Sequence, residues 1–142
     1  MSATAPSSEP LVQVEGLHTY YGKSHILHGV TLEVGRGEVV GLIGRNGVGK
    51  STTLKTIMGL VNARQGEIRL EGSSITHEAP HRLARRGIGY VPEDRRIFRL
   101  LTVMENLRTG FDRAGVTAER KKMLLDKVFA YFPVLAERRN QA

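Results

Sequence analysis

The chain has 142 residues, 40% of them hydrophobic and 25% charged, a composition that builds a packed globular core and excludes wholesale disorder. It contains no cysteine, which excludes disulfides and thiolate metal sites, and no apolar run approaches the roughly twenty residues of a membrane helix. A formal net charge of +7 comes from small groups such as Arg82, Arg85 and Arg86 or Arg120, Lys121 and Lys122. That spacing reads as solvated faces, although such an excess also attracts nucleic acid, anionic lipid and phosphate ligands.

Residues 1–10, small, polar and Pro-containing, read as a flexible tail without the basic start or apolar stretch of a signal peptide. From Leu11, "LVQVEGL" alternates apolar and polar as a strand does, "ILHGVTLEV" does so less cleanly, and "VVGLI" is a continuous apolar run of the buried-strand type. "KSTTLKTIMGL" carries Leu54, Ile57, Met58 and Val61 at helical spacing, and Gly59 and Gly66 mark its exit. "GEIRLEG" predicts another strand, "HEAPHRLARRG" a short helix closed by Gly87, and "IGYV" a short buried strand that leads into the loop "PEDRRIFR". "LTVMENLRTG" predicts a helix that Thr102 caps with Glu105 three residues on. The last helix, within "TAERKKMLLDKVFAYF", places Leu124, Val128, Tyr131 and Phe132 on one stripe. "FPVLAERRNQA" then ends on polar residues with no closing strand, so the chain reads as unfinished.

The stretch "GRNGVGKS" matches the phosphate-loop pattern of Gly, four residues, Gly, Lys and Ser or Thr. Gly44, Gly47 and Gly49, with Arg45, Asn46 and Val48 between them, let successive backbone N–H groups turn inward around a phosphate. Lys50 adds a charge near the β and γ oxygens, and Ser51 offers a hydroxyl to Mg2+. Thr52 continues into the helix, whose positive N-terminal end faces the same anion. The expected cofactors are ATP and Mg2+. The histidines His18, His25, His28, His77 and His81 are scattered without an evident third ligand and predict ordinary polar roles.

Residues 14–72, from "VEGLHTYYGK" through the phosphate loop to "GEIRLEG", resemble the N-terminal half of an ABC transporter ATPase. "GIGYVPEDRRIF", "LTVMENL" and "VFAYFPVLAERRNQA" resemble more narrowly the ATPase subunits of high-affinity branched-chain amino acid importers. The resemblance implies an α/β fold: a phosphate-loop ATPase core with an antiparallel β-rich subdomain, cut before the signature motif and the strand that carries the catalytic carboxylates. It implies a helical subdomain starting over about 102–142. Tyr21 is implied to stack on adenine, an interaction tolerant of exact placement; its alternatives are a turn tyrosine, or Tyr20 in its stead. Glu93 stands where most of the family has a Gln that senses Mg2+ and the attacking water. A carboxylate suits Mg2+, and pairing with Arg95 or Arg96 on a surface loop is the alternative.

The residues that follow, Arg95, Arg96, Ile97 and Phe98, are implied to meet a transmembrane permease subunit, with Phe98 equally suited to a core. The intact protein is implied to pair with a second ATPase subunit and to sit at the cytoplasmic face of the membrane through its partners. The family's signature, its catalytic Glu and its switch His do not occur in these 142 residues. No catalytic residue is therefore expected here beyond Glu93 as a sensor, and ATP hydrolysis by this chain alone is not expected. Two further readings stay beside the transporter one. A nucleotide-binding module would hold ATP without turnover. A basic phosphate-loop protein acting on nucleic acid would bind RNA or DNA in a salt-sensitive way that survives Lys50→Ala; the detailed likeness argues against it, and no nucleic-acid partner is expected.

Overall fold

The computed structural model describes residues 9–94, 97–111 and 115–142. Two compact units divide the chain, Met1–Tyr90 and Val91–Ala142.

In the first unit, β1 (Val12–Tyr21) and β2 (Ser24–Val34) form an antiparallel hairpin, paired from Val12 opposite Val34 to Tyr21 opposite Ser24. β3 (Ala63–Leu70) runs along the other side of β1 and the short β4 (Ser73–Ser74) follows it, in the order β2-β1-β3-β4 with every pair antiparallel. The alternation read from the sequence explains which face is covered. Val14 points into the core, the register slips between residues 14 and 18 in both pairings of β1, and Leu17 and Thr19 resume the buried face beyond the slip. Leu27, Ile68, Ile75 and Leu83 complete a core from which water is excluded. Leu83 comes from α2 (Pro80–Arg85), which starts on a proline whose fixed φ suits a first helical position.

The helix α1 (Lys50–Ile57) forms as predicted and covers the expected Met58 and Ile57, but Leu54 does not share that face and threonines take its place. Leu54 is 45% exposed, whereas Thr52, Thr53 and Thr56 are buried along with Met58. Threonine is tolerated here because its hydroxyl is satisfied locally: Thr53 Oγ1 donates to the Gly49 carbonyl at 3.0 Å and Thr56 Oγ1 to the Thr52 carbonyl at 2.8 Å. Thr56 Oγ1 also lies 3.2 Å from Thr19 Oγ1, which ties the helix to β1. α1 ends in a left-handed Gly59, φ 65°, with Leu60 N–H donating to the Lys55 carbonyl and Gly59 N–H to the Thr56 carbonyl. A Cβ at residue 59 would stand 2.5 Å from the Glu78 carbonyl oxygen, so the chain passes this point only as glycine.

Residues 39–43 and 88–91, both expected as buried strands, are not strands here. Val39, Ile43 and Val91 are 96%, 97% and 92% exposed. A continuous apolar run signals a strand covered on both faces and paired at its edges. Among the described residues no strand pairs with either segment, and without a ladder to take its N–H and C=O groups the backbone stays irregular.

The second unit is helical: α3 (Val103–Phe111), α4 (Ala118–Tyr131) and α5 (Pro133–Glu137). The expected capping box at α3 forms in full. Glu105 N–H donates to Thr102 Oγ1 at 3.2 Å, and Thr102 N–H returns a bond to Glu105 Oε2 at 2.7 Å. The Thr102 N–H and the Thr102 hydroxyl, which donates to Glu105 Oε2 at 2.8 Å, hold the Glu105 pKa below the usual value. The next α3 amides, Val103 and Met104, donate to the carbonyls of Gln141 and Arg139, so the end of the chain closes this helix start. On α4 the expected stripe is shifted: Leu124, Leu125, Val128 and Phe129 are half-buried, and Tyr131 and Phe132 are exposed. The helix stops at Phe132, which precedes a proline and leaves helical geometry at φ -132° and ψ 73°, so the last turn does not continue the packed face.

Candidate nucleotide-binding site

The loop of residues 44–49 reaches α1 through Gly49, which is buried at φ 97°. A Cβ on Gly49 would lie 2.6 Å from Leu27 Cδ2, so β2 and the helix start meet closely at this one residue. Gly44, Arg45, Asn46, Gly47 and Val48 are exposed, with Gly47 at φ 85°. Lys50 opens α1 and folds its amine back into the loop, donating to the carbonyls of Gly44 at 2.6 Å and Arg45 at 2.7 Å. The first amides of a helix lack intrahelical acceptors, and the helix dipole makes that end positive. An ammonium held by two loop oxygens beside those amides is the donor set a polyphosphate needs. Exchange of the two carbonyls for phosphate oxygens leaves Lys50 equally well bonded.

The two hydroxyls next in line are separated by burial. Ser51 is exposed at the second position of α1 and free to face a ligand or Mg2+, whereas Thr52 is buried and offers the loop its backbone. Tyr21 ends β1 at the tip of the hairpin, 46% exposed, opposite Ser24 and so two residues before the Ile26 and Leu27 that meet Gly49. Tyr20 is engaged elsewhere: its ring stacks on His25 at 4.1 Å, and the Arg64 guanidinium sits 4.7 Å over it. Tyr21 has no ring or cation against it among the described residues, which leaves its face open to a base.

Glu93 belongs to the second unit and is exposed on a bend. Arg95 and Arg96 lie outside the described residues. Ile97 and Phe98 are 69% and 59% exposed, which argues against Phe98 as core. With Leu101, Val103, Leu107 and Leu135 they line an apolar groove of about 720 Å3.

Two arrangements escaped the sequence reading. Asn106, one turn into α3, grips the preceding loop: its Oδ1 accepts from Phe98 N–H at 2.9 Å, and its Nδ2 lies 3.0 to 3.1 Å from the carbonyls of Phe98, Leu101 and Thr102. Asn106→Ala is expected to remove about 1–2 kcal/mol of stability from the second unit and to speed amide exchange at Phe98, read by hydrogen-exchange mass spectrometry. An asparagine three or four residues inside a predicted helix start was the available signal. The second arrangement is the assembly of His18, His25 and His28 on the outer face of the hairpin.

The ABC transporter family matches residues 27–141. The chain is 42% identical to the "High-affinity branched-chain amino acid transport ATP-binding protein BraG" of Pseudomonas aeruginosa, over 92% of this chain and 55% of that protein. It is 37% identical to the "Lipopolysaccharide export system ATP-binding protein LptB" of Haemophilus influenzae, over 92% of this chain and 54% of that protein. A solved "ATP binding subunit of ABC transporter" superposes with a TM-score of 0.80 at 35% identity, over 92% of this chain and 53% of that one. The chain thus spans about half the length of the relatives it matches. ATPases of this family bind ATP with Mg2+, hydrolyse it, dimerise and work with transmembrane permease subunits. No helix among the described residues is long and apolar enough to cross a membrane. The glycine loop with its lysine, the antiparallel sheet against it and the match over most of the chain lead to one conclusion: this chain belongs to the ABC transporter ATP-binding family.

Proposed function

We propose that this chain forms the nucleotide-holding part of an ABC transporter ATP-binding subunit that powers branched-chain amino acid uptake. The observation that carries the nucleotide reading is Lys50, drawn by two loop carbonyls into the mouth of residues 44–49 at a helix start. In this reading the amides of residues 47–52 and Lys50 hold the β and γ phosphates. Ser51 takes one position on Mg2+, which supplies charge neutralisation at those phosphates when bound. Tyr21 stacks on adenine. These residues bind and orient; none of them is placed as the base that activates water. The 142-residue chain accordingly holds ATP without turnover, and hydrolysis belongs to an intact subunit paired with a second ATPase subunit. Ile97 and Phe98, with Arg95 and Arg96, form the contact with a permease, which keeps the subunit at the cytoplasmic face of the membrane.

The solute rests on likeness to BraG; the likeness to LptB favours lipopolysaccharide export as a second reading. Deletion of the coding sequence in its own cell separates them. Loss of labelled leucine uptake supports the first, and intact uptake with impaired lipopolysaccharide export supports the second. Tyr21→Ala is expected to weaken ATP binding about tenfold, the value of one lost stacking contact, and to leave inorganic triphosphate binding unchanged; equal loss of both in a calorimetric titration contradicts the adenine contact. Tyr20→Ala acts on the hairpin instead, through His25 and Arg64.

A further inference from the structure

The outer face of the β1–β2 hairpin carries an unusual stack of titratable rings. Tyr20 pairs with His25 and His18 with His28 across the two strands, and His25 stands between them. Its ring lies 4.1 Å from Tyr20, nearly parallel at 4°, then 3.7 Å from His28 and 5.1 Å from His18. His18 Nδ1 and His25 Nε2 are 3.0 Å apart, so one of them donates a proton to the other. The rings stack and do not converge on a point, and no group of three His, Cys, Asp or Glu among the described residues is arranged to hold a metal ion. Among the described residues the groups that face His25 are His18 and Tyr20 from β1 and His28 from β2, and the Arg64 cation from β3 lies over the Tyr20 ring. None of these is a carboxylate.

We propose that His25, at the centre of the His18–His25–His28 cluster, is a proton-sensitive latch on the hairpin: with its ring neutral it holds the tip that carries Tyr21, and its protonation in mildly acid solution releases that tip. The physics is local. The bond between His18 and His25 needs one nitrogen free of hydrogen; one added proton leaves it in place, an imidazolium donating to a neutral imidazole, and the cost of that proton is the loss of hydration among the packed rings. A charge on His25 then sits against the His28 and His18 rings, and none of the groups facing it among the described residues is a carboxylate. The direction for His25 agrees. Loss of hydration among the packed rings pushes its pKa below the usual histidine value, with further lowering from His28 and His18, against a smaller raising effect of the Leu27 backbone. The closed hairpin therefore binds fewer protons than the open one. The latch holds at pH well above about 6.5, the ordinary histidine value, and weakens as pH falls through it. The consequence for ATP rests on Tyr21 as the adenine contact: release of the tip lowers ATP affinity, by up to about tenfold for each pKa unit that separates closed from open, and leaves triphosphate affinity alone.

The test is a pH titration of the 142-residue chain by NMR from about pH 8 to about pH 5, across the histidine range, following the histidine and tyrosine ring signals. The expected result is a His25 midpoint below about 6.5, with Tyr21 signals moving at the same midpoint. That movement disappears in His25→Phe, which keeps a flat ring and cannot titrate, and in His18→Gln, which answers the same question should His25→Phe fold poorly. Tyr21 signals that stay fixed while His25 titrates, or that move unchanged in the folded variants, overturn the latch. ATP and inorganic triphosphate affinities at the two pH extremes supply the second arm. Should Tyr21→Ala weaken both ligands equally at neutral pH, the adenine contact fails, and the tyrosine signals still decide the latch.

Discussion

Lys50→Ala is expected to lower Mg-ATP affinity by about two orders of magnitude while the chain stays folded. Two charge-assisted bonds to phosphate oxygens, each worth about 1.5–3 kcal/mol when one partner is charged, are lost together with the local positive field. The same amine now bonds the Gly44 and Arg45 carbonyls on an exposed loop, where water replaces it at little cost. Calorimetric titration with Mg-ATP checks the affinity, and the thermal midpoint checks the fold. Unchanged binding in the variant places the nucleotide elsewhere. Lys50→Arg separates charge from shape: it keeps the charge and loses the compact ammonium that fits between the two carbonyls, so it is expected to recover only part of the affinity.

Gly49→Ala is expected to cost about 2–6 kcal/mol of stability and to abolish nucleotide binding with it. Two effects add. A side chain at φ 97° carries left-handed backbone strain of about 1–3 kcal/mol, and the new methyl group would lie 2.6 Å from Leu27 Cδ2, an overpacking of similar size. Leu27 is a buried core residue with little room to yield. Urea unfolding of the variant measures the first effect. The double variant with Leu27→Ala relieves the clash, leaves the strain and opens a core cavity, so its loss of stability is expected to be smaller than the sum of the two single losses. A Gly49→Ala chain as stable as the parent contradicts the close approach of β2 to the helix start.

The parts of this chain that were legible in its sequence depend on near neighbours. The phosphate loop, the Thr102–Glu105 capping box and the strand-like stretches that open β1 and fill β2 each declare themselves within a dozen or so residues, through glycines, a cap three residues from its partner, and strand alternation; that the two strands form a hairpin is a finding of the structure. The apolar runs at 39–43 and 88–91 carry the pattern of buried strands and are not strands, because strand formation requires a partner ladder and none pairs with them among the described residues. The buried face of α1 was misjudged at Leu54 because hydrophobicity alone ranks it above Thr56. Only the structure shows that Thr56 finds both the Thr52 carbonyl and Thr19. The histidine stack was invisible for a different reason. His18, His25 and His28 come together through strand register, and the slip between residues 14 and 18 decides which side chains of β1 share a face. Tyr21 and Tyr20 could not be separated by pattern, yet His25 and Arg64 occupy one ring and leave the other open.

The most direct test of this account is a phosphorus NMR titration of Mg-ATP with the 142-residue chain, which follows binding and turnover in one sample. The account predicts that the β and γ phosphate signals shift saturably as Lys50 and the loop amides take hold, and that no ADP accumulates. Phosphate signals unmoved at any protein concentration, or ADP formation that disappears in Lys50→Ala, would contradict it.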